Sequence, residues 1–213
     1  MRILHLIPLT LLVLAACGDG EVATRETDVA HPAGEAHSGD HHVGDPGHVH
    51  AGGDAAHGST AAASTDYPDA VTEPWGAATE AYLAVKDAFT DSDLPAARAA
   101  ATRLAAAIEG ADMAAMGEGH DAWMAAAPTV AERASALAGA GDLDGARAAL
   151  PALTEAFVAG VERLGTGGQT LFVQHCPMAF DNEGADWVSA EREVRNPYFG
   201  DAMMSCGRVT QEL

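Results

Sequence analysis

From Thr72 onward the apolar residues of this chain recur at helical spacing. Trp75, Tyr82, Val85 and Phe89 fall at intervals of three, four or seven. With Thr72 placed to cap and Pro74 in the first turn, they predict a first helix that ends at Asp91-Ser92-Asp93. Leu94, Ala97, Ala101, Leu104 and Ile108 continue the rhythm to Gly110 as a second helix. A third is expected at about His120–Leu137, where Pro128 should kink or shorten it. The fourth runs from Asp142 to about Leu164, with Leu143, Ala146, Leu150, Leu153, Phe157 and Val161 inward and Pro151 expected to bend it. Gly165–Gly168 ends that pattern.

Part of the pattern repeats. Asp93–Leu104 aligns with Asp142–Leu153, matching Asp93 with Asp142, Leu94 with Leu143, Arg98 with Arg147 and Leu104 with Leu153, and Trp75 and Trp123 fall near the same offset. Two helical hairpins, neither able to bury its apolar face alone, imply a mainly α fold: a four-helix up-down bundle. After it, Leu171–Gln174 and Arg208–Gln211 have the composition of a short antiparallel strand pair, which would close a C-terminal Cys/Met loop. Trp187, Tyr198 and Phe199 would pin that loop to the bundle, and Asn196-Pro197 marks a turn.

The first third of the chain reads differently. Met1-Arg2 and the apolar run Ile3–Ala16 have the form of a signal peptide, too short to span a bilayer. Leu14-Ala15-Ala16-Cys17 resembles a bacterial lipobox, so residues 1–16 are expected to be removed and Cys17 acylated; ordinary cleavage and soluble export is the alternative. Residues 17–66 are rich in Gly, Ala, Asp, Ser and His with no apolar period, the composition of a tether, leaving 67–213 as the folded domain. His31, His37, His41, His42, His48, His50 and His57 lie in the tether. They suit weak capture of Cu(II), Zn2+ or Ni2+, or else serve only as titrating polar residues. The expected location is the extracytoplasmic face of the cell envelope, held by the lipid at Cys17.

Composition narrows the choices. Apolar residues make up 48% of the chain but aromatic ones only 5%, which suits a small alanine-rich helical core. The 11 Lys and Arg stand against 31 Asp and Glu, and the leader would take Arg2 with it. So acidic a surface makes nucleic acid and anionic lipid headgroups poor partners, and no nucleic acid is expected.

Candidate chemistry concentrates in residues 171–207, where Cys176 lies near Met178, and Cys206 near Met203 and Met204. Thiolate and thioether sulfur favour a soft ion such as Cu(I) over Mg2+ or Ca2+. Met203 and Cys206 share a face if Asp201 caps a helical turn, and Cys176 and Met178 share a side of an extended segment. An ordinary disulfide with core-filling methionines is the competing reading. His120 and Met124 share a helical face and would extend a sulfur site if that end of the bundle lay beside the motif, whereas Met113 and Met116 read as loop filler. No catalytic constellation stands out. His175 and Cys176 are neighbours in an extended segment and point to opposite faces, so they form no dyad. The expectation is a protein that is not an enzyme.

The segments CPMA at Cys176–Ala179, GADWVS at Gly184–Ser189 and NPYFGDAMMSCG at Asn196–Gly207 resemble the closing motifs of the family called domain of unknown function 3347. GHDAWM at Gly119–Met124 resembles that family's pattern around its third helix. The resemblance implies a small exported or lipid-anchored domain, of a kind also appended to the membrane-fusion adaptors of heavy-metal efflux pumps. It further implies copper or related soft-metal handling in the envelope. Carried over by position, it marks Cys176, Met178, Met203 and Cys206, to which His120 would add a ligand only if its end of the bundle lay beside them; Met204 falls where the family more often has an aliphatic residue, and His175 where it varies. The expected protein binds Cu(I) for sequestration or delivery to an efflux adaptor or pump. Its alternative is a disulfide-stapled, non-catalytic domain that docks to an envelope or efflux partner.

Overall fold

The computed structural model describes residues 66–213. The segment expected to be a signal peptide, Cys17 and the histidines from His31 to His57 lie outside the described residues. Four long helices come first: α1 (Asp69–Thr90), α2 (Leu94–Glu109), α3 (His120–Ala138) and α4 (Leu143–Leu164). Each packs on the next, and α4 returns against α1, which is the up-down bundle expected from the repeat. The turns are chemically explicit. Asp93 caps α2 by accepting from the Ala96 N–H at 2.9 Å, and Asp142 caps α4 by accepting from the Gly145 N–H at 2.8 Å.

The helices run through their prolines. α1 starts at Asp69, directly after Pro68, rather than at a Thr72 cap, and runs on through Pro74. Pro68 has its φ near −60° and Asp69 puts a carboxylate in the first turn, so the earlier start is favoured by the helix dipole. α3 and α4 are not shortened at Pro128 and Pro151: each continues as one element through its proline. The tertiary packing of Ala127, Val130 and Ala131, and of Leu150, Leu153 and Thr154, all buried, offsets the one hydrogen bond each ring removes.

The repeated arginines have a common task. Arg98 on α2 donates to the Ala138 carbonyl at the end of α3, and Arg147 on α4 donates to the Phe89 carbonyl near the end of α1. Each guanidinium bonds a carbonyl at the negative end of a neighbouring helix, where a cation is favoured; the Phe89 carbonyl also accepts the Ser92 N–H at 3.1 Å. The hairpins are thereby tied to each other reciprocally.

An aromatic column joins α1 to α4. Phe157 stacks on Tyr82 with centroids 4.2 Å apart and on Trp75 at 5.5 Å, and Trp75 meets Trp123 edge-on at 6.5 Å. Gly160 on α4 makes room: a Cβ there would lie 2.3 Å from the Trp75 ring. Between α2 and α3 the buried positions are mostly alanine, including Ala97, Ala101, Ala127 and Ala134, where the alanine-rich composition is used.

After the bundle come β1 (Phe172–Cys176), β2 (Ala185–Ser189) and β3 (Arg208–Glu212), an antiparallel sheet of order β2-β1-β3. The expected β1–β3 pair is present, with an irregularity between Val173 and Gln174. The third strand, β2, was not expected. Its buried Trp187 and Val188 face opposite sides of the sheet, so its hydrophobicity does not alternate and it resembles a loop in sequence.

β2 is the strand that meets α1 and α4. There the Tyr82 hydroxyl, fully buried, accepts the Val188 N–H at 3.1 Å and shares a 2.7 Å hydrogen bond with Thr154 on α4. Burial pushes its pKa up to about 12, so it stays neutral. Lys86, also buried, reaches Glu191 just past β2 at 3.3 Å and Asp87 at 2.5 Å. Burial pushes the Glu191 carboxyl up, but the Ser189 hydroxyl and the Lys86 ammonium outweigh it and hold the group below its usual value.

Replacing Tyr82 with Phe should therefore cost about 1–3 kcal/mol, because it leaves a buried N–H and a buried hydroxyl without that partner. Denaturant unfolding checks this; an unchanged midpoint would mean that the hydroxyl does not fasten the sheet.

Candidate metal centre

Cys176 is the last residue of β1 and is fully buried, while Cys206 is half-buried just ahead of β3. His175 pairs with Arg208 across the two strands, so the same register brings Cys176 opposite Gly207, beside Cys206. Gly207 permits the approach. Its φ is +140°, and a Cβ there would lie 2.8 Å from the His175 carbonyl oxygen and 2.9 Å from the Trp187 ring. Both cysteines are free, and their sulfur atoms stand 2.9 Å apart.

The loop between β2 and β3 holds Cys206 in place through a buried asparagine. Asn196 donates from Nδ2 to the Cys206 carbonyl at 2.8 Å, and its backbone N–H donates to the Met204 carbonyl at 2.7 Å. Its Oδ1 accepts the Tyr198 N–H at 2.8 Å. One residue further on, the Pro197 carbonyl accepts from Arg147 at 2.9 Å, which fastens the loop to α4. The Tyr198 hydroxyl donates to the Asp186 carbonyl, and its ring packs edge-on against Trp187. Burial raises the Tyr198 pKa far above the ordinary phenol value, so this donor keeps its proton. Asn196 and Arg147 are thus positioning residues. In sequence the first reads only as a turn former and the second only as a repeat match.

The sulfur pair has a definite electrostatic character. The Cys176 sulfur, helped by burial, pushes the Cys206 thiol above its ordinary value, while the Met178 N–H pointing at it acts in the other direction. A disulfide needs the atoms at about 2.05 Å. Two thiolates on one tetrahedral ion with sulfur bonds of about 2.3 Å stand roughly 3.8 Å apart. The observed spacing lies between the two. A small side-chain movement in either direction gives a covalent bond or a two-sulfur chelate.

Methionines flank this pair. Met178 is 48% exposed, directly before a turn at Ala179–Asn182 in which Phe180, Asp181 and Asn182 take left-handed φ values of 50°, 55° and 72°. Such backbone is costly for a bulky residue, and here it turns the chain back sharply after Met178. Phe180 stays partly exposed with its ring against Tyr198. Met203 and Met204 are half-buried, and the Met203 carbonyl accepts the Cys206 N–H at 3.1 Å.

The histidines are elsewhere. His175 turns away from Cys176 and binds Asp186, its cross-strand partner on β2, at 2.7 Å through Nδ1. His120 opens α3, where the adjoining Gly119 packs against Val71 and Tyr67 at the start of α1. The loop carrying Cys206 lies by the other end of α1, where Gly200 meets Ser92 and Arg147 meets Phe89, roughly 27 Å away along the helix. His120 and Met124 therefore do not join the cysteines, because the up-down topology puts the connector between hairpins at the opposite end. Met116, expected as loop filler, is fully buried, whereas Met124 is 48% exposed. Among the described residues no three His, Cys, Asp or Glu side chains converge.

The fold is thus a helical-bundle domain closed by a small sheet that presents a sulfur pair. The family model described as "Protein of unknown function (DUF3347)" matches residues 78–169, within the helical bundle. The matched stretch covers most of α1 and all of α2 to α4, and the closing segment with the cysteines follows beyond it. Neither a curated protein nor a solved structure matches the chain. Among the described residues no helix is long and apolar enough to cross a membrane.

Two outcomes follow. Gly207→Ala should lower stability by more than about 1 kcal/mol, since backbone on one side and an indole on the other block the new methyl group. It should also slow oxidation of the cysteine pair, read by thiol titration over time. In the reduced, metal-free chain the raised Cys206 pKa contributes stability that is complete below the ordinary thiol value of 9.0 and is lost as pH rises through the raised value. Urea midpoints should fall in that alkaline window, and Cys206→Ser should remove that part of the slope.

Proposed function

We propose that this protein binds a single soft metal ion, Cu(I) in the first instance, between Cys176 and Cys206, for sequestration or hand-over in the cell envelope. The observation that carries this reading is the adjacency of two free thiols, one buried and one half-exposed, among three methionines of which none is fully buried. The donor set fits the ion. Thiolate sulfur is the ligand that Cu(I) prefers, and two thiolates satisfy an ion content with low coordination. When bound, the metal supplies the positive charge that lets both cysteines stay deprotonated side by side.

The chain's own residues do the rest. Cys176 is the rigid ligand, fixed at the end of the central strand. Cys206 is the adjustable one, held by Asn196 and reached from solvent. The Met178 N–H stabilises negative charge on its sulfur. Met178, exposed and directly after Pro177, is the thioether best placed to receive an ion first. Uptake must displace the thiol protons, so affinity should rise with pH.

Lipid anchoring at Cys17 would keep this site near the membrane, and the acidic surface would gather cations around it. A heavy-metal efflux adaptor or pump is the proposed recipient.

A second reading has its own observation. The sulfurs are closer together than two ligands on one ion, which favours a disulfide that ties the central strand to the lead-in of β3 and leaves a non-catalytic docking domain. One substitution separates the two. On the metal reading Cys176→Ser keeps the fold and loses Cu(I) binding in an anaerobic competition titration. On the disulfide reading the same change costs roughly 2–5 kcal/mol against the oxidised wild type, and reduced wild type takes up no Cu(I) at the pair.

A further inference from the structure

The end of the bundle remote from the cysteines carries soft donors of its own. Among the described residues only four large apolar side chains are exposed, and three of them are methionines: Met113 at 38%, Met124 at 48% and Met178. Met178 belongs to the cysteine site. The other two line one cavity of about 370 Å³ between α2 and α3, whose wall includes Trp123 and whose rim carries Glu109 and Glu132. Two residues distant in sequence thus present thioethers to the same opening.

Met113 and Met124 are left partly exposed at this opening, whereas Met116 is fully buried in the core. Met113 sits in a short helical turn, Met113–Ala115, that the Asp112 carboxylate caps by accepting the Ala114 N–H at 3.0 Å. Met124 stands on the rigid first turns of α3. One turn before it on the same face is His120, whose side chain is 47% exposed and makes its one polar contact with the neighbouring Asp121 at 3.5 Å. That contact is long and weak, and it leaves Nε2 free.

We infer that Met113, Met124 and His120 form a second soft-metal site, open to solvent, for a monovalent ion such as Cu(I). Thioether and imidazole are neutral donors. They suit a soft ion of low charge, bind it more weakly than thiolates do, and need no proton to leave from a thiol. Glu109 and Glu132 on the rim, with Asp112, Glu118 and Asp121 close in sequence, raise the local cation concentration without competing as soft ligands. The site is remote from the cysteine pair and stands whether that pair binds metal or forms a disulfide.

The test is an NMR titration of the full-length chain carrying 13C-methyl methionine with Ag(I), a redox-inert stand-in for Cu(I), in chloride-free buffer. It is run on the wild type and on Cys176→Ser/Cys206→Ser. Each methyl signal is assigned by Met→Leu substitution. The inference expects the Met113 and Met124 methyls to move together and saturate in both proteins, and His120→Ala to weaken that saturation by at least about tenfold. If the double cysteine variant does not fold, the wild type alone decides, because the readout is specific to each residue. Met113 and Met124 signals that stay fixed with excess Ag(I), that move independently, or that ignore His120→Ala would overturn it. Failure of the cysteine site would instead show at Met178, Met203 and Met204, so the two results are distinguishable.

Discussion

The joint between bundle and sheet rests on one phenol. Tyr82 stacks on Phe157 within the helical core and offers its hydroxyl to the Val188 N–H, a backbone group on the edge strand of the sheet. An edge strand's unpaired donor, buried against helices, has no water to turn to, so this oxygen removes the cost of seating β2 there. Thr154 shares that hydrogen bond and ties the choice to α4 as well. With β2 fixed, β1 pairs with it and β3 pairs with β1, so the sheet and both cysteine segments inherit their position from the helical core.

From that joint the sulfur pair is built by restraint on two sides. Cys176 comes with the central strand. Cys206 comes with a loop that Asn196 and Arg147 hold through hydrogen bonds to backbone groups and that Tyr198 holds also by packing its ring on Trp187. The result is a buried sulfur facing a partly exposed one, at a separation short of a chelate and longer than a bond. Such a pair is responsive. Oxidation consumes the two thiols and draws the sulfurs closer, whereas a soft ion replaces their protons and holds them further apart, and each needs only a small shift from the observed spacing.

Much of the fold was legible because its signals are local. Helical period, the Asp93 and Asp142 caps and the Arg98–Arg147 match placed four helices and their pairing in the sequence, and β1 and β3 stood out as β-rich runs. β2 did not, since its Trp187 and Val188 are buried on opposite faces and erase the alternation that marks a half-exposed strand. At Pro128 the local rule for a shortened helix was outweighed by tertiary burial, and α3 runs on through the ring. At the site, the sulfur residues were visible as types, but their grouping depended on topology. His120 and Met124 look close to the motif only until the up-down connections put them at the far end. Asn196 carried no signal beyond a turn, because its role is to bond backbone carbonyls that acquire meaning only in the folded loop.

The most direct test of the sulfur site is X-ray absorption at the copper edge on the reduced full-length chain, loaded anaerobically with less than one Cu(I) per protein so that only the tightest site fills. The account predicts a first shell of sulfur, lost in Cys176→Ser/Cys206→Ser. A first shell of nitrogen alone, or copper that washes out of the reduced wild type, would contradict it.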